Sequence, residues 1–328
     1  MLILAGDIGG TNTRLWLVET NGVTYKAVKP KTFYKSREAG ENGLVSLVKD
    51  FLGSDYSVDK ACFAVAGPVL NDSCKITNLS WPVLTSHNLQ QDLGIAQVGL
   101  INDFVAVGYS LVFEKNKSLL TLQEGDYSPN APIAIIGAGT GLGKAFAVPQ
   151  GDSYRVFPTE GGHANFAPYD RLTQKLLKDL SQDGSELVDV ETPVSGRGIA
   201  EIFTFLASSE FPELDPGNFL AQEDPSQAIS RGAAGGNFLC QQTMNLFAEI
   251  FGAAAGDMGV NLLPFGGLYI AGGVAPKNIE FLNDGRFIQA FRRKAKLNPE
   301  LLQKIPVHIY LNDLEGLNGA VNYAIHHM

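Results

Sequence analysis

An acid, two glycines and two short polar side chains follow one another in Asp7-Ile8-Gly9-Gly10-Thr11-Asn12, between an apolar run at Leu2-Ile3-Leu4 and another at Leu15-Trp16-Leu17-Val18. Paired glycines permit positive φ and leave no side chain between backbone N–H groups and a ligand, so the turn of such a hairpin can hold an anion as large as a polyphosphate. Asp7 repels an anion, and its place beside that turn points to a divalent cation between acid and phosphate. An ordinary hairpin with a capped turn has the same appearance. Two more glycine turns follow apolar runs, at Gly137 to Gly143 and at Gly272-Gly273. Three such turns are what a nucleotide clamped between two domains needs, although none is decisive singly. The middle one matches neither of two better-known motifs. Gly139-Thr140-Gly141-Leu142-Gly143-Lys144 has lysine where the dinucleotide fingerprint ends in glycine, and a P-loop would need glycine at Ala138 and Ser or Thr at Ala145.

Three further segments carry acids or a histidine. Asn102-Asp103 ends the apolar run Val98-Gly99-Leu100-Ile101, in surroundings that would leave a carboxylate partly solvated and able to act as a general base. Taken alone, the pair reads more readily as a helix N-cap. In Pro158-Thr159-Glu160-Gly161-Gly162-His163-Ala164-Asn165, Glu160 and His163 bracket two glycines and can both turn toward one small ligand; a satisfied surface histidine is an equal alternative. Glu191 precedes Pro193-Val194-Ser195-Gly196-Arg197-Gly198 and adds an acceptor near a glycine turn, where a lone acid is usually a cap.

The elements that must position these groups are those of an α/β protein. A chain of 328 residues, 45% hydrophobic, buries a substantial core, and its length favours two domains. Leu44, Leu47, Val48, Phe51 and Leu52 recur at helical spacing, Ala61 to Gly67 reads as a buried strand, and a helix is expected from Phe104 to Val112. The run Pro132 to Ile136, its glycine turn and Ala145 to Val148 repeat the opening pattern of strand, glycine turn with threonine, strand, which indicates two similar half-molecules. A polar connector from Asn116 to Asn130 is the candidate boundary. Helices are expected at Tyr169 to Leu180, Ile199 to Leu206 and Phe238 to Leu263, the last with Phe238, Met244, Phe247, Ile250, Phe251 and Met258 facing inward. Strands follow at Gly266 to Ala271 and Pro306 to Leu311, then a closing helix.

A net charge of −9 without a basic stripe makes nucleic acid and anionic membranes poor partners. The one basic cluster, Arg292-Arg293-Lys294-Ala295-Lys296, follows Phe287, Ile288 and Phe291 at helical spacing and reads as a solvated helix face. The chain starts on a strand without a charged and long apolar leader, and no later run is long enough to span a bilayer, so a cytoplasmic protein is expected. Three cysteines, Cys62, Cys74 and Cys240, lack paired metal-ligand spacing and suit neither a disulfide framework nor a metal site.

Seven motifs, in order along nearly the whole chain, resemble the bacterial ATP-dependent glucokinase family: GDIGGTN at the start, TNLSWPV at Thr77 to Val83, LINDF at Leu100 to Phe104, GAGTGLG, PTEGGHANFAP at Pro158 to Pro168, SGRGI and GGLYIAGGVAPK. The resemblance implies an α/β fold of the two-domain actin-like, or ribonuclease H-like, ATPase type with an interdomain active-site cleft. The small domain would be residues 1–112 plus about 309–328 and the large one residues 113–308. It implies that Asp7, Gly9, Gly10, Thr11 and Asn12 form the first phosphate segment, Gly139, Thr140 and Gly141 the second, and Gly272 and Gly273 the adenosine segment. Asp103 matches the catalytic base, Asn102, Glu160, His163 and Glu191 match residues that hold sugar hydroxyls, and Asn78 and Gly162 line the same pocket. ATP and glucose are then the substrates, Mg²⁺ would sit near Asp7, held through water, and a homodimer is implied. A kinase for another hexose or using polyphosphate, and a non-catalytic sugar-sensing actin-like protein, stay open as alternatives. No cysteine cluster follows His163, which sets the chain apart from zinc-bearing sugar kinases and repressors, and no DNA-binding domain is expected before Asp7.

Overall fold

A computed structural model describes the whole chain except residues 10–11, 35–42, 77–78, 115–116, 182–186 and 295. The chain divides into two compact units, residues 1–117, 153–158 and 312–328 in the first and residues 118–152 and 159–311 in the second.

The first unit is built on a sheet of order β3-β2-β1-β4-β7. Strands β1 (Leu2–Ile8) and β2 (Asn12–Thr20) form the antiparallel hairpin expected around the first glycine turn, with Asp7 opposite Arg14. Strand β4 (Lys60–Val65) runs parallel to β1, and β7 (Gln97–Asn102) parallel to β4, so both faces need cover. Leu4, Ile8, Leu15, Phe63 and Leu100 are buried with Val48 and Phe51 of helix α1 (Gly43–Leu52). A two-residue pair, β5 (Ser73–Cys74) and β6 (Leu84–Thr85), precedes α2 (Ser86–Leu93), which Thr85 caps by accepting the Asn88 N–H at 3.0 Å. Helix α3 (Asp103–Phe113) follows β7, and the closing helix α11 (Glu315–His326) packs on α3. At their crossing Gly319 lies so near Ala106 that a Cβ there would fall inside the shell of the Ala106 carbonyl oxygen and 2.7 Å from its Cα.

Strand β3 (Tyr25–Tyr34) is an element that periodicity did not announce. It is an edge strand containing Pro30 and three lysines, the usual protection of a free sheet edge. Lys29 donates to the Phe51 carbonyl at 2.6 Å and Lys31 to Asp50 at 2.7 Å, which ties the edge to α1.

In the second unit the strands β8 (Leu119–Gln123), β9 (Ile133–Ala138), β10 (Leu142–Gln150), β12 (Leu268–Ala271) and β13 (Val307–Tyr310) lie in the order β10-β9-β12-β13-β8. Strand β11 (Ser153–Thr159) follows β10, its residues through Pro158 grouping with the first unit. Strands β9 and β10 are an antiparallel hairpin, β12 is parallel to β9 and β13 to β12. The sequence β10-β9-β12-β13 therefore repeats β2-β1-β4-β7 of the first unit, and the two half-molecules read from the glycine turns are real at the level of topology. Strand β8 occupies part of the expected polar connector: Leu119, Leu120 and Leu122 make a half-buried edge whose alternation with polar residues is too short to stand out.

Helices α4 (Arg171–Leu180), α5 (Gly196–Phe205), α6 (Pro225–Ala234), α7 (Phe238–Leu262), α8 (Ile279–Leu282), α9 (Arg286–Arg292) and α10 (Pro299–Gln303) complete this unit. Met244, Phe247, Ile250, Phe251 and Met258 of α7 are buried as expected. Phe238 is not: it is 49% exposed in the first turn, edge-on to Phe211 at 5.3 Å. The basic cluster is likewise no solvated helix face, because α9 ends at Arg292 and the following side chains turn onto the unit. Arg292 donates to Gln123 at 2.6 Å, Arg293 lies 5.5 Å over the Tyr169 ring, and Lys294 pairs with Asp257 at 2.5 Å. Among the described residues no helix is long and apolar enough to cross a membrane.

Candidate active site

In the first unit the parallel register places Ile8, Val65 and Asn102 in one row at the carboxyl ends of β1, β4 and β7, the edge at which open α/β sheets bind ligands. Asp7 precedes that row on β1 and Asp103 follows it at the start of α3, just past β7, which lies two strand spacings, about 10 Å, from β1. The first turn is closed by the Gly9 N–H donating to the Asn12 carbonyl at 2.9 Å. Gly10 and Thr11, assigned to the phosphate segment, lie outside the described residues, as does Asn78 of the sugar pocket. Asp7 is enclosed by α11, since a Cβ on Gly316 would stand 2.9 Å from its carboxyl carbon, and its nearest cation is Arg14, with 3.9 Å between Nη1 and Oδ2. Burial raises the Asp7 carboxyl above the usual carboxylate range, and the Arg14 charge opposes that only in part.

Asn102 and Asp103 divide the work at the start of α3. The Asn102 side-chain oxygen accepts the N–H groups of Phe104 at 2.9 Å and Val105 at 3.3 Å, and its amide donates to the Gly67 carbonyl at 3.2 Å. The cap reading therefore holds for Asn102. Asp103, the neighbour, is half-buried and takes a hydrogen bond from Phe104 N–H at 2.9 Å through Oδ1. Its charge adds to burial in raising the Cys74 thiol.

In the second unit β9 and β12 are parallel neighbours, with Ala271 opposite Gly137, so the second and third glycine turns emerge at the same sheet edge. Gly139 N–H donates to the Gly141 carbonyl at 2.8 Å, and Gly196 N–H to the Gly139 carbonyl at 2.8 Å. Gly272 has φ of 79°, and a Cβ there would stand 2.7 Å from the Ala138 carbonyl, so only glycine lets the third turn cross the second. Gly139 and Gly273 face open space, and Thr140 is exposed.

The proposed sugar-holding segment is fastened to this turn. Glu191 accepts the Leu142 N–H at 2.8 Å through Oε2 and donates its own N–H to the Gly162 carbonyl at 2.9 Å, while a Cβ on Gly162 would collide with the Leu142 carbonyl. Glu191 thus caps no helix; Ser195 caps α5. A short ladder continues from Val190 N–H to the Ala164 carbonyl at 2.8 Å, and His163 N–H donates to the Glu160 carbonyl at 3.0 Å. Glu160 and His163 are both exposed at the rim of a 3₁₀ turn (Gly161–His163).

The structure adds Asp189, which the sequence reading passed over. Its Oδ2 lies 2.8 Å from His163 Nδ1, and Oδ1 accepts the Thr192 N–H at 2.9 Å. That hydrogen bond, with the charges of Glu191, Asp189 and Glu160, outweighs partial burial and raises the His163 imidazole above its ordinary value. Burial acts against the Asp189 carboxylate, but its bonds to His163 and Thr192 hold it lower than usual. Replacing Asp189 by Asn should therefore return the His163 titration toward about 6.5, because the group that favours the protonated ring is gone. The imidazole resonances followed against pH by NMR check this; an unmoved midpoint would mean that Glu160 and Glu191 set the value.

A duplicated sheet with a hairpin and two parallel strands in each half, and glycine turns and acids at the strand ends, defines the actin-like ATPase fold of the sugar kinases. The sequence model of the family described as Glucokinase matches residues 4–327. A glucokinase of a Nostoc species is 44% identical over 338 residues, covering 97% of each chain. The crystal structure of a glucokinase from an Antarctic psychrotroph is 30% identical and superposes with a TM-score of 0.80 over 98% of each chain. A glucokinase of the ROK family from Streptomyces griseus, solved with glucose and AMPPNP, shares the fold at 18% identity and a TM-score of 0.69. The chain belongs to the glucokinase family, and its activity is that of an ATP-dependent glucose kinase.

Proposed function

We propose that the reaction is transfer of the γ-phosphoryl group of ATP to the 6-hydroxyl of glucose, with Asp103 as the base that accepts the hydroxyl proton. The observation that carries this reading is the double attachment of Glu191, which fixes the sugar-holding segment to the glycine turn assigned to the phosphates. A donor and an acceptor held by one rigid connection meet the main demand of phosphoryl transfer, where positioning and electrostatics supply most of the acceleration. Thr140 and Gly141 contribute N–H groups and a hydroxyl to the transferring group, Gly139 leaves room for it, and Gly272 and Gly273 let the backbone approach the adenosine. Glu160, His163 and Glu191 match the dense hydroxyls of a polyol, and a sugar lacking one of these would leave a polar group unpaired.

Asp7 suits Mg²⁺: it is a hard oxygen donor, half-buried, with the Arg14 guanidinium 3.9 Å away, at the end of the strand that enters the phosphate turn. Bound through water, that ion would neutralise charge on the phosphates. A coupled assay of ADP release over a panel of sugars tests the reading. ADP release that depends on glucose and rises well above that with other hexoses is the expected result, and release independent of sugar would overturn it.

A further inference from the structure

We propose that the second unit carries a separate site for a small organic anion with an apolar body, in a cavity beneath the segment that presents Glu160 and His163. The cavity has a volume of about 300 Å³, at the lower end of small-molecule pockets, and all of its walls belong to the second unit. Apolar groups supply most of its lining, among them Phe146, Phe166, Ile250, Met258 and Leu262. Lys144 stands on one wall. It is 8% exposed, and its ammonium makes no ion pair or hydrogen bond among the described residues. The nearest acid of the cavity, Asp257, is already engaged by Lys294 at 2.5 Å. Tyr169 stands on another wall, its hydroxyl buried and without a partner.

Buried polar groups are almost always satisfied, and a buried cation without a counter-ion is costlier than a neutral orphan. Here burial, with a smaller contribution from Lys294, holds the Lys144 ammonium below its ordinary value, while Asp257 opposes this without reaching it. One carboxylate or phosphate monoester would satisfy both Lys144 and Tyr169. A phenyl-sized group behind it would cover the apolar wall. The roof of the cavity is formed by Thr159, Gly161, Ala164 and Asn165, which belong to the same segment as Glu160, Gly162 and His163. A ligand that fills the space below supports that segment in the conformation seen here, so it should strengthen glucose binding, and glucose should strengthen its binding by the same factor.

Calorimetric titration of the full chain with phenylacetate, phenyl phosphate and the neutral 2-phenylethanol tests the site. Saturable 1:1 binding of at least one anion is expected, tighter than the alcohol by about 10-fold or more, and the tighter of the two anions identifies the head group. Lys144→Met should abolish that preference, since it removes the cation that distinguishes an anion from the alcohol. Equal binding of anion and alcohol, or an unchanged preference in Lys144→Met, would overturn the proposal. The coupling arm rests on the glucose reading of Glu160 and His163 and is scored separately. Saturating anion should lower the Kd for glucose about fivefold, and an unchanged Kd refutes the coupling. Titration in glucose-free protein reports on the cavity alone, whereas glucose binding that survives Glu160→Ala would count against the sugar assignment alone.

Discussion

Asp103→Asn lowers kcat by about 10²- to 10⁴-fold, the range for removing a positioned general base, while the KM for ATP changes little. The argument rests on how the start of α3 is built. Asn102 supplies the cap to Phe104 and Val105, so the helix does not depend on Asp103, and the asparagine oxygen can still accept the Phe104 N–H that Asp103 Oδ1 accepts. The variant should therefore keep the start of α3 and lose the ability to take a proton. Steady-state kinetics with glucose and ATP, beside a melting curve within a few degrees of the parent, separate the two roles. Near-normal turnover would remove Asp103 from the chemistry, and a collapsed Tm would assign it a structural role that the hydrogen bonds do not indicate.

Gly319→Val has the second large effect, on stability. The atoms that a Cβ would meet are backbone atoms of Ala106 in α3, which cannot rotate away as a side chain would. Relief requires α11 and α3 to separate, and overpacking of this kind costs about 3 kcal/mol, which translates into a fall in Tm of roughly 6–12 °C. Because Asp103 opens the helix that must move, activity should fall further than the loss of stability alone explains. Calorimetry measures the first effect and kcat well below Tm the second; a Tm within 2 °C of the parent would show that the two helices have slack at this crossing.

The parts of the fold that were legible are those in which one local rule acts alone. Strands β1, β4, β7 and β9 are apolar runs stopped by glycine or acid, and α1 and most of α7 show an unbroken apolar stripe. Strand β3 was hidden because an edge strand is polar by necessity, and β8 because five residues of weak alternation cannot be told from a connector. The cluster from Arg292 to Lys294 was misread for a different reason. Helical spacing at Phe287, Ile288 and Phe291 does not show where the helix stops, and past that point Lys294 found Asp257, far away along the chain. Of the site, the glycine turns, Asp103, Glu160, His163 and Glu191 stood out by residue type and order. Asp189 did not, since an acid two residues before Glu191 gains meaning only when the ladder between residues 162–166 and 188–191 brings it to His163.

The enclosure of Asp7 by Gly316 has a consequence for how the protein is made. The acid on the first strand is not walled in until a helix more than 300 residues later has left the ribosome, and at about 5–20 residues per second that interval is roughly 15–60 s. All of the second unit is synthesised in between. The first hairpin therefore waits, with its sheet uncovered where α11 will pack on β1 and β4. A nascent chain arrested before residue 316 would hold a finished second unit and an unfinished first one, and the enzyme would become active only as its last helix docks.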